Sequence, residues 1–231
     1  MKSASEFDSF AGSYEADLDQ ALSVSGENQD YFARARVAWL SGCLRQLQQQ
    51  PRTALDYGCG IGGTSVFLRE LLGVEQVVGL DVSERSLERA RREHGANRVE
   101  FLTFDQHVPR AQVDLVYCNG VFHHIPPRER RSAVDYIYRS LRPGGWFALW
   151  ENNPWNPGTR YVMSQCAFDR DAVTLTPPEA ARLLQAGGLR VLRTDFLFVF
   201  PRFLKFLRVM EAGLARLPLG AQYQVLCRKP G

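Results

Sequence analysis

The chain is short of the features that would tie it to a membrane, a disulfide framework or a nucleic-acid backbone. Its five cysteines, Cys43, Cys59, Cys118, Cys166 and Cys227, stand far apart and form no CxxC pair. That excludes a zinc ribbon or a disulfide scaffold and fits a reducing, cytoplasmic setting. No stretch approaches the roughly 20 consecutive apolar residues of a membrane-spanning helix. The opening segment, MKSASEFDSFAGSYEADLD, is polar and acidic and does not read as a secretory signal. Excess positive charge is missing too: a net charge of +3 is too little to argue for a nucleic-acid partner. Cationic residues do gather in SERSLERARRE and PPRERRSAVDYIYRSLR, where they read as solvated helix faces. Internal repeats and low-complexity tracts are absent. What is present is an ordinary globular composition, 45% hydrophobic and 23% charged over 231 residues, which suits one α/β domain.

Strand and helix patterns alternate along most of the chain. YFARARVAWLSGCLRQLQQQ reads as an amphipathic helix stopped by Pro51. TALDY is a short buried strand, and the glycine loop behind it opens the helix GGTSVFLRELL. VEQVVGLDV is a second strand, after which Ser83 caps SERSLERARREHG. RVEFLTF and QVDLVYCNG make the third and fourth strands, and Pro126 and Pro127 start a helix reaching Leu141. The turn RPGG leads into the strand WFALWE. NNPWNPGTRYVMSQCAFDRDAV then reads as a long loop, and TPPEAARLLQAGG as a helix begun at Thr176 or Pro177. LRVLRTDFLFVF and AQYQVLCRKP are the last strands, joined by the apolar, cationic helical insertion PRFLKFLRVMEAGLARLP. The expected fold is α/β and Rossmann-like, a three-layer αβα sandwich. Its seven-stranded, mostly parallel sheet has an antiparallel edge strand and helices on both faces.

In such a sheet the ligand lies beyond the carboxyl ends of the strands, where the strand order reverses. Those ends carry Asp56 to Gly63, Asp81 and Val82, Phe104 and Asp105, Cys118 to His124, and Glu151 to Asn156. Gly58, Gly60 and Gly63 satisfy the G-x-G-x-x-G spacing of dinucleotide sites, with Asp81 about 20 residues on. Asp56, in the same loop, would oppose a pyrophosphate but suit a ligand carrying an ammonium and a sulfonium. The GK[ST] of a phosphate-binding loop is also missing.

LDYGCGIGGTS resembles motif I of the class I S-adenosylmethionine-dependent methyltransferases. GLDVS is similar to the second motif, FLTFDQHVP to the third, VDLVYCNGVFHHIPP to the fourth-strand motif, and LRPGGWFALWE to the turn and strand that follow. The resemblance covers roughly residues 52 to 151. It implies that Asp56 accepts from the methionyl ammonium and that Gly58, Gly60 and Gly62 let the backbone pass under the cofactor. Asp81 would hold the ribose hydroxyls, Val82 would pack on the adenine, and Asp105 would accept from the adenine amino group beside Phe104. Asn119 would lie at the methionine moiety. Asp81 as a helix cap and Asp105 as a turn residue are the competing readings.

Methyl transfer is an in-line displacement that needs a positioned nucleophile and, where that nucleophile carries a proton, a base. Candidates are Glu151, facing the acceptor at the end of its strand, and His123 and His124, which otherwise serve structure. Adjacent histidines lack the i, i+3 or i, i+4 spacing of a helical metal pair, so no metal is expected. Asn152, Trp155, Arg160 and Tyr161 are candidate acceptor contacts, although prolines and asparagines at turns also have a conformational explanation. The stretch around Phe10 and Tyr14 resembles the family's lid, with Tyr14 facing the acceptor. The insertion at 202–217 is expected to pack on the core; a dimer face, a substrate wall or peripheral membrane contact are its other readings.

The expected organisation is a single domain over 1–231. It comprises an N-terminal lid and helices to residue 50, a cofactor core over 51–151, and a substrate-side segment over 152–231 with its insertion near 201–218. The expected activity is transfer of a methyl group from S-adenosylmethionine to an O or N of a small molecule, leaving S-adenosylhomocysteine, by a monomer or homodimer without a nucleic-acid partner. The rivals are an NAD(P)-dependent oxidoreductase, disfavoured by Asp56 and Asp105, and a non-catalytic cofactor-binding or scaffold subunit. No (D/N)PP(Y/F/W) element of the DNA amino-methylating enzymes follows strand four, where CNGV stands.

Overall fold

A computed structural model describes residues 25–95, 98–166 and 169–231. Tyr14 and the lid stretch lie outside these residues. Seven strands join in one sheet: β1 (Thr53–Tyr57), β2 (Gln76–Asp81), β3 (Val99–Thr103), β4 (Val113–Asn119), β5 (Leu141–Asn152), β6 (Arg190–Leu197) and β7 (Gln222–Arg228). Their order is β3-β2-β1-β4-β5-β7-β6. The chain winds outward from β1 to β3, then crosses back to lay β4 beside β1, so the order reverses between β1 and β4. The expected antiparallel edge is the β6–β7 pair. The reversed strand is β7, inserted one place in from the rim and antiparallel to both β5 and β6.

Helices α1 (Gln29–Gln46), α2 (Gly63–Leu72) and α3 (Glu84–His94) cover one face, and α4 (Arg130–Ser140) and α6 (Pro177–Ala186) the other. Strand parity sorts the core. Leu55, Val116, Phe147 and Leu149 point toward α4 and α6, whereas Ala54, Leu115, Ala148 and Trp150 point toward α1, α2 and α3. Because β5 is buried on both sides, its residues from Trp146 to Glu151 show no polar alternation.

Local chemistry sets the ends of these elements. Ser83 accepts from the Ser86 amide at 3.2 Å, capping α3 as expected. Thr176 and Glu179 close a capping box on α6, with the Thr176 amide donating to Glu179 Oε2 at 2.8 Å. Helix α4 starts at Arg130, later than Pro126, because each proline holds the residue before it extended. Ile125 accordingly has φ −83° and ψ 125°.

Two expectations beyond β5 need correction. The stretch read as an unbroken loop contains α5 (Pro157–Gln165), capped by Asn156, whose side chain accepts from Thr159 N at 3.0 Å. The insertion leaves most of its length off the core. Over Arg202–Met210 it is two 3-10 pieces separated by a kink at Leu204 (φ −105°, ψ 22°), followed by the short α7 (Glu211–Leu214), with no buried residue in either; Ala215, just beyond, is buried. Phe203, Phe206 and Val209 are 76%, 68% and 86% exposed. The segment is tied to the entry of α1 by Arg208, which pairs with Glu27 at 2.9 Å and lies over the Tyr31 ring. No helix of the described residues is long and apolar enough to cross a membrane.

Candidate active site

A cavity of about 530 Å³ opens at the carboxyl ends of β1 and β4, in the size range of small-molecule sites. Its floor is the glycine loop. Gly58 and Cys59 donate their amides to Leu80 O at 2.7 and 2.9 Å, which folds the loop back over β2. Gly60 has φ +55°, and a Cβ added there would meet nothing, so this is where the loop lies open to a ligand. Gly58 also lines the cavity, but the space beside it is filled by Val121. Gly62 plays a different part from the one expected. It caps α2 in the left-handed region and lets Phe101 pack under the loop, away from the cavity.

Parity places Asp56, Tyr117 and Asn119 on the α1 side of the sheet, all lining the cavity. Asp56 is 2% exposed and accepts from Ser65 Oγ at 2.7 Å. Burial pushes its carboxyl up to about 7, against the lowering hydrogen bond from Ser65 and with a further rise from the Asp81 charge. Arg36, from α1, brings a buried cation into the same wall. It donates to Tyr117 Oη at 3.3 Å and to Gln222 Oε1 at 2.9 Å, and Gln222 in turn donates to Asn152 Oδ1 at 3.2 Å. Asn152 therefore lines the cavity, held by its register partner on β7. Arg36 and Gln222 were not foreseen. One is the middle of three arginines on an amphipathic helix, the other one of two glutamines in an otherwise mostly apolar strand.

Asn119 Oδ1 is buried and has no hydrogen-bond partner among the described residues. A buried acceptor left unmatched costs about 1–3 kcal/mol unless a ligand supplies a donor. Next to a carboxylate and an open glycine loop, the donor that fits is the ammonium of a methionine moiety. The residues present therefore suit S-adenosylmethionine: Asp56, Asn119 and Gly60 for its amino-acid end.

The residues expected to hold the adenosine, Asp81, Val82, Phe104 and Asp105, are not among those lining this cavity. Asp81 accepts from the Gly60 amide at 2.8 Å and the Ser83 amide at 2.9 Å, so one carboxylate ties the glycine loop to the start of α3. Carboxylate oxygens accept more than one hydrogen bond, so ribose binding remains compatible with this anchoring. Asp81→Ala is expected to weaken cofactor binding by about 1–3 kcal/mol, measured by calorimetry. An unchanged affinity would remove Asp81 from the ribose site. Val82 is half-buried beside Asp81. Phe104 is packed against Tyr57 and Tyr136, with ring centroids 4.8 and 5.6 Å away. Asp105 is exposed on a turn, its carboxyl held low by a hydrogen bond with Thr103.

A buried polar cluster adjoins the cavity. Glu151, expected to face the acceptor, does not line the cavity. It shares the parity of Phe147 and Leu149, is 1% exposed, and lies beneath the 3-10 turn at Phe122–His124. Its Oε1 accepts from the Phe122 amide at 2.8 Å, and its Oε2 is 2.5 Å from His123 Nδ1. His123 and His124 line the cavity, and so does Asp169, whose Oδ1 is 3.5 Å from His123 Nε2 and 3.4 Å from His124 Nε2. Burial lowers the His123 pKa, but Glu151 and Asp169 outweigh it and raise the ring to about 10. Glu151 thus holds His123 in place by this contact.

Three of the other acceptor candidates turn outward. Trp155 and Tyr161 are 50% and 53% exposed, and neither they nor the exposed Arg160 line the cavity. The helical turn through 157–165 explains this: Thr159, Val162 and Met163 take the inner side. The asparagines around them hold backbone instead. Asn153 donates to Gly220 O at 2.8 Å and Asn156 to Leu219 O at 2.7 Å.

Comparison with known proteins agrees with this geometry. Residues 54–145 match the methyltransferase domain family. The chain is 34% identical over 99 residues to a trans-aconitate 2-methyltransferase of Azoarcus sp. (strain BH72), covering 42% of this chain and 38% of that one. It is 33% identical over 107 residues to the Drosophila melanogaster tRNA N(3)-methylcytidine methyltransferase Mettl2, covering 42% of this chain and 33% of that one. The matches thus span about two fifths or less of these relatives' length. Among solved structures, an S-adenosylmethionine-dependent methyltransferase from Mesorhizobium loti superposes with a TM-score of 0.60 at 21% identity, over 81% of this chain and 96% of that one. The glycine loop, the strand order and the family match lead to one conclusion: residues 54–145 match a methyltransferase domain, and the chain has the fold of the class I S-adenosylmethionine-dependent methyltransferases.

Proposed function

We propose that this protein transfers a methyl group from S-adenosylmethionine to an oxygen or nitrogen of a small molecule. One observation carries the reading: a single cavity runs from Asp56, Gly60 and Asn119 to Asn152, Gln222 and His123. A cofactor seated at the first group therefore meets an acceptor at the second without leaving the cavity. S-adenosylmethionine supplies a methyl group made electrophilic by the sulfonium. The protein's own part is to bind and orient. Asp56 and Asn119 fix the amino-acid end, and the Arg36–Gln222–Asn152 chain presents polar atoms to the acceptor. Tyr31, Phe198, Phe200 and Phe203 add aromatic walls to the cavity.

The named relatives act on a small acid in one case and on tRNA in the other, so their names do not decide the acceptor. The cavity does favour one class. It is sized for a metabolite, and the +3 net charge offers little to a phosphate backbone. The test is incubation with isotopically methyl-labelled S-adenosylmethionine and a pool of small metabolites, with mass spectrometry of both fractions. Labelled metabolite together with S-adenosylhomocysteine is expected. Label on tRNA alone would overturn the acceptor class, and stabilisation by S-adenosylhomocysteine without turnover of any pool would favour a non-catalytic binding subunit.

A further inference from the structure

We propose that His123, His124 and Asp169 form a binding site for one divalent transition-metal ion of the zinc class at the acceptor end of the cavity. One ligand atom from each residue lies within 4.8 Å of the others. The two measured histidine-to-carboxylate spacings, 3.5 and 3.4 Å, match a tetrahedral ion. Bonds of about 2.0–2.2 Å put its ligand atoms roughly 3.3–3.5 Å apart. A small rotation of either imidazole closes the wider gap.

The i, i+3 or i, i+4 rule for paired histidines belongs to the α-helix, and this pair sits on a 3-10 turn. There the two rings lie side by side, with centroids 4.1 Å apart. The third ligand arrives from a segment more than forty residues further along. That segment is braced against the turn: the Val173 amide donates to His123 O at 2.8 Å, and Arg130 donates both to Val173 O and, at 3.0 Å, to Phe122 O. The site is thus held from both sides by backbone contacts.

A further feature favours a cation. Glu151 holds the Nδ1 side of His123, which turns Nε2 toward Asp169; a carboxylate behind a histidine ligand is the usual outer shell of a metal site. Three protein ligands leave a coordination position facing the cavity, as in catalytic rather than structural zinc sites. An acceptor oxygen or nitrogen would occupy it, a role that rests on the methyl-transfer reading; binding of the ion itself does not.

The experiment is titration of chelator-treated full-length protein with Zn²⁺ by calorimetry, and with Co²⁺ by visible spectroscopy. One ion per chain is expected, with a Co²⁺ spectrum free of thiolate charge transfer. Affinity should fall at least about a hundredfold in His124→Ala and Asp169→Asn, since even outer-shell losses cost about 10–100-fold. Asp169→Asn keeps the side chain's shape, and circular dichroism checks its fold. The rise in melting temperature of the unmodified protein with Zn²⁺ gives a readout that needs no variant. Absence of stoichiometric binding, binding unchanged in both variants, or a thiolate band pointing to Cys166 would each overturn the site. Stabilisation by S-adenosylhomocysteine, measured in the same variants, reports on the cofactor reading separately.

Discussion

Asp56→Asn is expected to weaken S-adenosylmethionine binding by about one to two orders of magnitude, in line with the roughly 1.5–3 kcal/mol of a hydrogen bond to a charged group. It should also flatten the pH profile of that binding. Burial holds the Asp56 carboxyl at about 7, well above the usual carboxylate range. For the ligand-free protein this raised value means stability that is fully present below the ordinary carboxylate pKa and lost as pH rises through about 7. Cofactor binding runs the other way, because a cationic ammonium favours the ionised carboxylate. Affinity should therefore climb about tenfold per pH unit from roughly pH 5 and level off near 7, one proton being released. Calorimetry across this range in two buffers of different ionisation enthalpy measures both the slope and the proton. A flat profile for the unmodified protein would remove Asp56 from the ammonium site.

The second large effect is on folding. Gly62→Ala is expected to cost about 2–5 kcal/mol of stability. A left-handed backbone costs a non-glycine residue about 1–2 kcal/mol, and overpacking adds about 1–3. Gly62 has φ +83°, and a Cβ there would lie 2.5 Å from Phe101 Cζ and 3.1 Å from Ala90 Cβ. Phe101 is itself buried between the sheet and α3, so it cannot swing clear. Gly60→Ala is the control. Its Cβ meets no atom, so it should lose only the backbone strain while blocking the cavity to a cofactor. Denaturant unfolding of the two variants, with S-adenosylhomocysteine binding measured alongside, separates a glycine required for packing from one required for approach. Equal stabilities would contradict the division.

The alternation of apolar strands with capped helices made the sheet legible, and Asp56 among the glycines made the cofactor legible. What stayed hidden was the direction of side chains. On an exposed strand a carboxylate's face follows from alternation, but β5 is buried on both sides, so Glu151 carried no sign that it would turn under the histidine turn. Trp155, Arg160 and Tyr161 looked like acceptor contacts because prolines and asparagines suggested a loop. The helix that Asn156 caps instead rotates them outward. Asp169 could not be joined to His123 and His124 by spacing, since only the packing of its segment against the turn brings them together. The 3-10 insertion misled for a related reason. Its apolar residues look helical at a period of 3.6, yet the segment kinks at Leu204 and leaves Phe203, Phe206 and Val209 exposed.

Both walls of the mouth come from outside the matched methyltransferase domain: Tyr31 from before it, and Phe198, Phe200 and Phe203 from after it. The two are fastened by Arg208 to Glu27 and by Arg202 to Gly26 O at 3.2 Å. The entrance is therefore framed by a clasp whose two halves lie far apart in sequence and meet only in the fold. A chimera exchanging one flank alone is expected to lose these contacts, and one exchanging both flanks as a pair to keep them.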